Sequence, residues 1–126
     1  MARKTIVRIC GITRTGDALS AVAAGADAIG LVFYEASPRH VSPAQAREIA
    51  GQVAPFVSTV GLFVNADPKD VCQTFDRLGL DLVQLHGDEP PEVLSRLGDR
   101  PVIRAFRLGP DGLGPVSEYL DACRRL

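Results

Sequence analysis

The sequence has no excess charge of either sign: 14 lysines and arginines stand against 15 acidic residues, a formal net charge of −1. That balance gives no field strong enough to draw nucleic acid or an anionic membrane as partner. A long hydrophobic run is also missing. A membrane span needs roughly 20 consecutive apolar residues, and no segment approaches that. The start, MARKTIVRIC, has basic residues but lacks the apolar core and small-residue cleavage site of an export leader. Paired cysteines are absent too. Cys10, Cys72 and Cys123 are odd in number and scattered, with no CxxC spacing. This argues against a disulfide framework or a metal site, so no metal is expected, and it fits a reducing cytoplasm. What is present is 126 residues, 46% apolar and 23% charged. That is an ordinary globular composition, enough for one domain over 1–126 with one core.

Two periods alternate along the chain. TIVRIC, DAIGLVF, STVGLFV, DLVQLH and PVIRAF are short apolar runs of strand length, rich in β-branched or aromatic residues. Helical spacing fills the gaps. Ala18, Leu19 and Val22 form a first stripe, with Gly25 as its stop. Ser42, Pro43 and Gln45 read as N-cap, first helical residue and capping-box partner, ahead of a buried face of Ala46, Ile49, Ala50 and Val53. Asp67 and Pro68 open a third helix bearing Val71, Phe75 and Leu78. Pro90 and Pro91 open a fourth, which buries Val93, Leu94 and Leu97 and stops at Gly98. Val116, Leu120 and Cys123 share one side of a fifth.

The order is therefore (βα) five times, which calls for right-handed crossovers and a parallel α/β sheet. An open doubly wound sheet and part of an eight-stranded barrel both accept it. A whole (β/α)8 barrel takes about 250 residues, so in the barrel reading the fold is truncated to about five βα units. In that reading alternate strand side chains face the interior, and the C-terminal strand ends open onto the active-site face. If Val7 and Ile9 pack outward on helices, Arg8 and Cys10 point inward, with Cys10 at the rim. Gln84 and His86 share one face of the fourth strand, and Arg104 lies between Ile103 and Ala105. Arginine and glutamine inside strands are costly unless paired or exposed to a polar cavity. Their recurrence suggests a wet, anion-tolerant mouth.

RICGIT at 8–13, GADAIGLVFYEASPRHVSP at 25–43, GLFVNA at 61–66, QLHGDEPP at 84–91 and VIRAF at 102–106 carry a specific resemblance. In order and spacing they are similar to the N-terminal portion of phosphoribosylanthranilate isomerase, a (β/α)8-barrel enzyme of tryptophan biosynthesis. The resemblance implies an aldose–ketose isomerase that performs an Amadori rearrangement on a small phosphorylated sugar-amine, with no cofactor. An acid protonates the furanose oxygen, the ring opens to a Schiff base, and a base removes the C2 proton to give an enolamine that becomes the ketone. The family's base is the cysteine of the CG motif, here Cys10. A thiol acts as base only when ionised, and cationic Arg8 is expected to favour the thiolate. Arg39, in SPRHVSP, matches the arginine that meets the anthranilate carboxylate, a planar anion suited to two parallel guanidinium hydrogen bonds. Arg8, Gln84, His86 and Arg104 complete the expected substrate-binding set.

Two features depart from the family pattern. Arg8 and Arg104 stand where the family usually has lysine, which keeps charge but changes reach and fork geometry. The family's general-acid aspartate, at the end of the sixth strand, and its phosphate loops, after strands seven and eight, have no counterpart in these 126 residues. Asp121 falls in a helical stretch and is no substitute. The 126 residues alone are accordingly expected to be inactive, and the open edges of strands one and five to invite self-association. A different class competes with this reading: a non-catalytic half-barrel or flavodoxin-like oligomerising module, with no need of Cys10 or Arg39. Plain structural roles also compete residue by residue. Cys72 and Cys123 need no function, and His86 taken alone reads as a polar residue satisfied near a strand end. Asp88 and Glu89 read as helix-start charges. Gly30 and Gly61 fit close packing as well as ligand approach.

Overall fold

The computed structural model describes residues 4–126; the basic start at 1–3 lies outside the described residues. Five strands and five helices alternate: β1 (Arg8–Cys10), α1 (Thr15–Ala23), β2 (Ala28–Val32), α2 (Pro43–Val53), β3 (Ser58–Phe63), α3 (Pro68–Leu78), β4 (Leu82–Leu85), α4 (Glu92–Arg96), β5 (Val102–Arg104) and α5 (Gly114–Arg124). Local chemistry sets the helix starts. The Ser42 side chain accepts from the Gln45 amide and the Gln45 side chain accepts from the Ser42 amide, a complete capping box with Pro43 just inside the helix. Asp67 caps α3 by accepting from the Lys69 amide at 2.8 Å. Gly25, Gly79 and Gly98 take positive φ beyond α1, α3 and α4, the conformation that ends a helix most cheaply at glycine.

The sheet order decides the architecture. All four pairings are parallel and the strands lie in the order β1-β2-β3-β4-β5. Right-handed crossovers between successive neighbours put every helix on one side. A doubly wound flavodoxin-like sheet must reverse its strand order once, and this sheet does not, so that alternative is overturned. The fold is a run of five barrel-type βα units. No helix of the described residues is long and apolar enough to cross a membrane.

The register sorts side chains onto two faces. Ile29, Leu31, Val83 and Leu85 pack with Ala46, Ile49, Val53, Val71 and Leu97 in two buried clusters under the helices. The opposite, inner face carries the row Cys10, Gly30, Val60, Leu82 and the row Val32, Leu62, Gln84, Ile103. Four apolar side chains are more exposed than their spacing suggested. Leu19 and Leu120 are 45% and 49% exposed, and the inward position on α5 belongs to Tyr119, edge-on to Phe106 at 5.1 Å. Val7 and Ile9 lie on the helix side, yet each is 42% exposed. A right-handed crossover helix covers the groove between its own strand and the next, so the outer flank of β1 has no helix over it.

Candidate active site

A cleft of about 590 Å³ opens at the C-terminal strand ends. Its floor is Val32, Leu62 and Val64, and its walls are the loops after β2, β3, β4 and β5. Loop walls over an apolar strand floor are where barrel folds place their chemistry.

The β2–α2 loop is tied down at both ends. The Val41 amide donates to the Val32 carbonyl at 3.0 Å, and the His40 amide to the Ser37 carbonyl at 3.1 Å. This aims Arg39 across the top of β1. Its Nη1 donates to the Cys10 carbonyl at 3.3 Å. Gly11, at φ +82°, makes this crossing possible: a Cβ there would stand 2.5 Å from the Arg39 Cδ and Nη1. Gly30 does the same for the thiol. It pairs with Cys10 in the ladder, and a Cβ on it would lie 2.8 Å from the Cys10 Sγ. Close packing is therefore a sufficient account of Gly30. For Gly61 the crowding atoms are Leu80, Phe63 and Phe33 side chains, which is packing again.

Of the residues expected from sequence, Arg39, His86 and Arg104 line the cleft together. Arg8 and Cys10 lie on the inner face of β1, outside that lining, and Arg39 is the link between the thiol's backbone and the cleft. Gln84 sits on the same inner face two residues before His86, 5% exposed, with Oε1 unpartnered among the described residues. Arg104 is also bonded to the cleft wall itself. It pairs in register with Leu85, on the helix-facing side. Its Nη atoms donate to the carbonyls of Leu85 at 3.2 Å, Gly87 at 2.8 Å and Ala105. Its Nε is buried without a partner among the described residues.

Glu89 is a correction. It does not serve the start of α4, which begins at Glu92 without a side-chain cap. It is buried, accepts from the Gly87 amide at 2.8 Å and the Asn65 amide at 2.9 Å, and faces Arg104 at 3.8 Å. Tyr34, Asn65, Phe106 and Arg107 also line the cleft and were not singled out from sequence. One signal was available for them: each lies two or three residues past a strand's C-terminal end. Among the described residues no cluster of three His, Cys, Asp or Glu side chains is arranged to hold a metal ion.

Comparison with known proteins gives a consistent result. The family model described as N-(5'phosphoribosyl)anthranilate (PRA) isomerase matches residues 7–123. The isomerase of Geobacter sulfurreducens is 54% identical over 121 residues, covering 95% of this chain and 59% of the relative. That of Bordetella pertussis is 50% identical over 122 residues, covering 97% of this chain and 56% of the relative. The chain thus spans less than two thirds of the length of the curated relatives it matches. Among solved structures, phosphoribosyl anthranilate isomerase from Thermotoga maritima superposes with a TM-score of 0.83 at 41% identity, over 94% of this chain and 58% of that one. Another such isomerase, in complex with reduced 1-(o-carboxyphenylamino)-1-deoxyribulose 5-phosphate, gives 0.85 at 40% identity, over 94% and 61%.

Proposed function

The chain belongs to the N-(5'-phosphoribosyl)anthranilate isomerase family, and from that premise we propose that it forms the base and aromatic-carboxylate side of an Amadori isomerase site in tryptophan biosynthesis. Cys10 is the general base that takes the sugar C2 proton. Arg39 receives the anthranilate carboxylate. Arg8, Gln84 and His86 line the sugar's path along the inner face, and Arg104 meets the substrate from the β5 side of the cleft. The substrate is a small phosphorylated sugar-amine, as the analogue bound to a structural neighbour suggests, and the partial barrel over 1–126 is one unit.

The observation that carries this reading is the Arg39 side chain, which lies against Gly11 and reaches the Cys10 carbonyl while it lines the cleft. A carboxylate held by that guanidinium sits beside the strand end that bears the thiol. Tyr34 and Phe106, which line the same cleft, offer aromatic faces to a benzoate ring. The chemistry then needs a proton donor for the ring oxygen and a phosphate site, which the family builds from its last three βα units. A polypeptide of these 126 residues is therefore expected to bind anthranilate without turning over the full substrate.

Fluorescence titration with anthranilate tests the proposal. A charge-assisted guanidinium–carboxylate pair contributes about 1.5–3 kcal/mol, so Arg39→Ala is expected to weaken binding by about 10- to 100-fold. Cys10→Ser is expected to leave it within about twofold. Equal affinity in the wild type and Arg39→Ala would refute the assignment. The half-exposed Val7, Ile9 and Ile103 at the two sheet edges support self-association as a further property of the chain.

A further inference from the structure

The only buried carboxylate in the described chain lies in the wall of the cleft. Glu89 is 4% exposed, and a charge so placed persists only when it is paired and hydrogen-bonded. Its partners come from two different loops and a strand end. The Gly87 amide donates to Oε1 and the Asn65 amide to Oε2, at 2.8 and 2.9 Å. Arg104 closes the set from β5, with Nη1 3.8 Å from Oε1 and Nη2 donating to the Gly87 carbonyl at 2.8 Å. Two aromatic rings also lie against the guanidinium, with Phe106 at 4.7 Å and Tyr119 at 5.3 Å from its centre.

The two loops that Glu89 joins are also interlocked. Asn65 takes φ +53°, a left-handed turn conformation that asparagine adopts more readily than other non-glycine residues. Its Oδ1 accepts from the Asp88 amide at 2.8 Å. A Cβ on Gly87 would stand 2.5 Å from that oxygen, so the loops meet backbone to side chain with no slack. Asn65, His86 and Asp88 all line the cleft. Their placement follows from a carboxylate and a guanidinium whose polar atoms are bound to the loops themselves.

We propose that Glu89 and Arg104 are positioning residues: a buried pair that locks the loops after β3, β4 and β5 into one arrangement and so sets the wall against which the aromatic carboxylate binds. The lock is a property of the loops, whereas its effect on anthranilate rests on the function proposed above. Arg104 thereby has a role that does not require it to touch the ligand.

The test uses the 126-residue chain, with Glu89→Gln and Glu89→Asp beside the wild type. Amide hydrogen exchange is followed at Asn65 and Gly87, and at Ile29 and Leu31 as core references, together with anthranilate titration. Glu89→Gln keeps the shape and removes the charge. It is expected to speed exchange at Asn65 and Gly87 at least about tenfold with the references unchanged, and to weaken anthranilate binding by about tenfold. Glu89→Asp, which restores the charge, is expected to recover part of both. A fragile core would instead speed exchange at all four amides together, and that result would overturn the lock, as would wild-type exchange at Asn65 and Gly87 in Glu89→Gln. Loosened loops with wild-type affinity would overturn the positioning role. If the wild type binds no anthranilate, the functional reading fails, while the exchange arm still decides the lock.

Discussion

Adding one methyl group at Gly30 has a calculable cost, because the atoms it meets are of two kinds. A Cβ there would lie 2.8 Å from the Cys10 Sγ, 3.1 Å from its Cα and 3.3 Å from its Cβ. Rotating the thiol relieves the first contact. It cannot relieve the second, since the Cα belongs to a strand whose continuation, Gly11 and Ile12, bonds through both amides to the Gly30 carbonyl. β1 must therefore move out by a few tenths of an ångström. Overpacking of this kind costs about 1–3 kcal/mol, and replacing a strand glycine by alanine returns about 0.5–1 kcal/mol of backbone entropy. The net expectation is a loss of about 0.5–2 kcal/mol. Gly51→Ala is the control, because Gly51 is exposed within α2 and a Cβ on it meets nothing within 4 Å. There the same substitution should stabilise by about 0.5–1 kcal/mol. Urea unfolding followed by circular dichroism reads both, with midpoints displaced in opposite directions by roughly 0.3–1 M. Peptide mapping after mild alkylation should also show a changed rate at Cys10 in Gly30→Ala, with Cys72 and Cys123 as internal references. If both variants gain stability and Cys10 alkylates at the wild-type rate, the close approach at Gly30 is not what constrains the thiol.

Two further measurements probe other parts of the fold. Burial pushes the Tyr119 phenol above its ordinary value of 10.0, with Arg104 opposing the shift. A folded value above the unfolded one favours the native state at pH below 10, and that contribution is lost as pH rises through the folded value. Phenolate absorbance should therefore show a tyrosine that ionises late, and Tyr119→Phe should remove it; a titration unchanged by Tyr119→Phe would refute the assignment. Sedimentation velocity across a hundredfold concentration range should show reversible growth in mass from contacts at β1 and β5, and Ile9→Lys should reduce it. A monomer at every concentration would refute association through those edges.

Much of the fold was legible because its signals are local. Strand runs and helical stripes depend on residues within a few positions, and the Ser42–Gln45 box closes within one turn. What was not legible depends on packing between distant segments. Leu19 and Leu120 carry helical spacing, yet their exposure is decided by which neighbouring element reaches them. The acidic pair Asp88 and Glu89 precedes a helix and resembles a helix-start charge in any window of ten residues. Only the approach of Asn65, 24 residues away, and of Arg104, 15 residues away, shows that Glu89 faces inward. Arg104 shows the same limit. An arginine in a strand signals polarity nearby, and only the fold shows that this polarity includes the carbonyls of Leu85 and Gly87.

The candidate site has an asymmetry that follows from strand order. Loops after β2, β3 and β4 are each flanked by strands on two sides, and together with the segment after the edge strand β5 they supply the cleft walls. Cys10 is on the edge strand β1, and its described surroundings come from one side: Gly30 beneath the thiol and Arg39 over the backbone. Arg39, on the loop after β2, therefore has strands on both sides, whereas Cys10 has a neighbouring strand on one side alone. Any polypeptide that pairs along the free edge of β1 covers Val7 and Ile9 and changes the environment of Cys10 first, leaving Arg39 anchored by its own loop. On the function proposed above, binding of the aromatic acid and reactivity of the thiol are then separable. The first is set within the loops, and the second is set at the sheet edge.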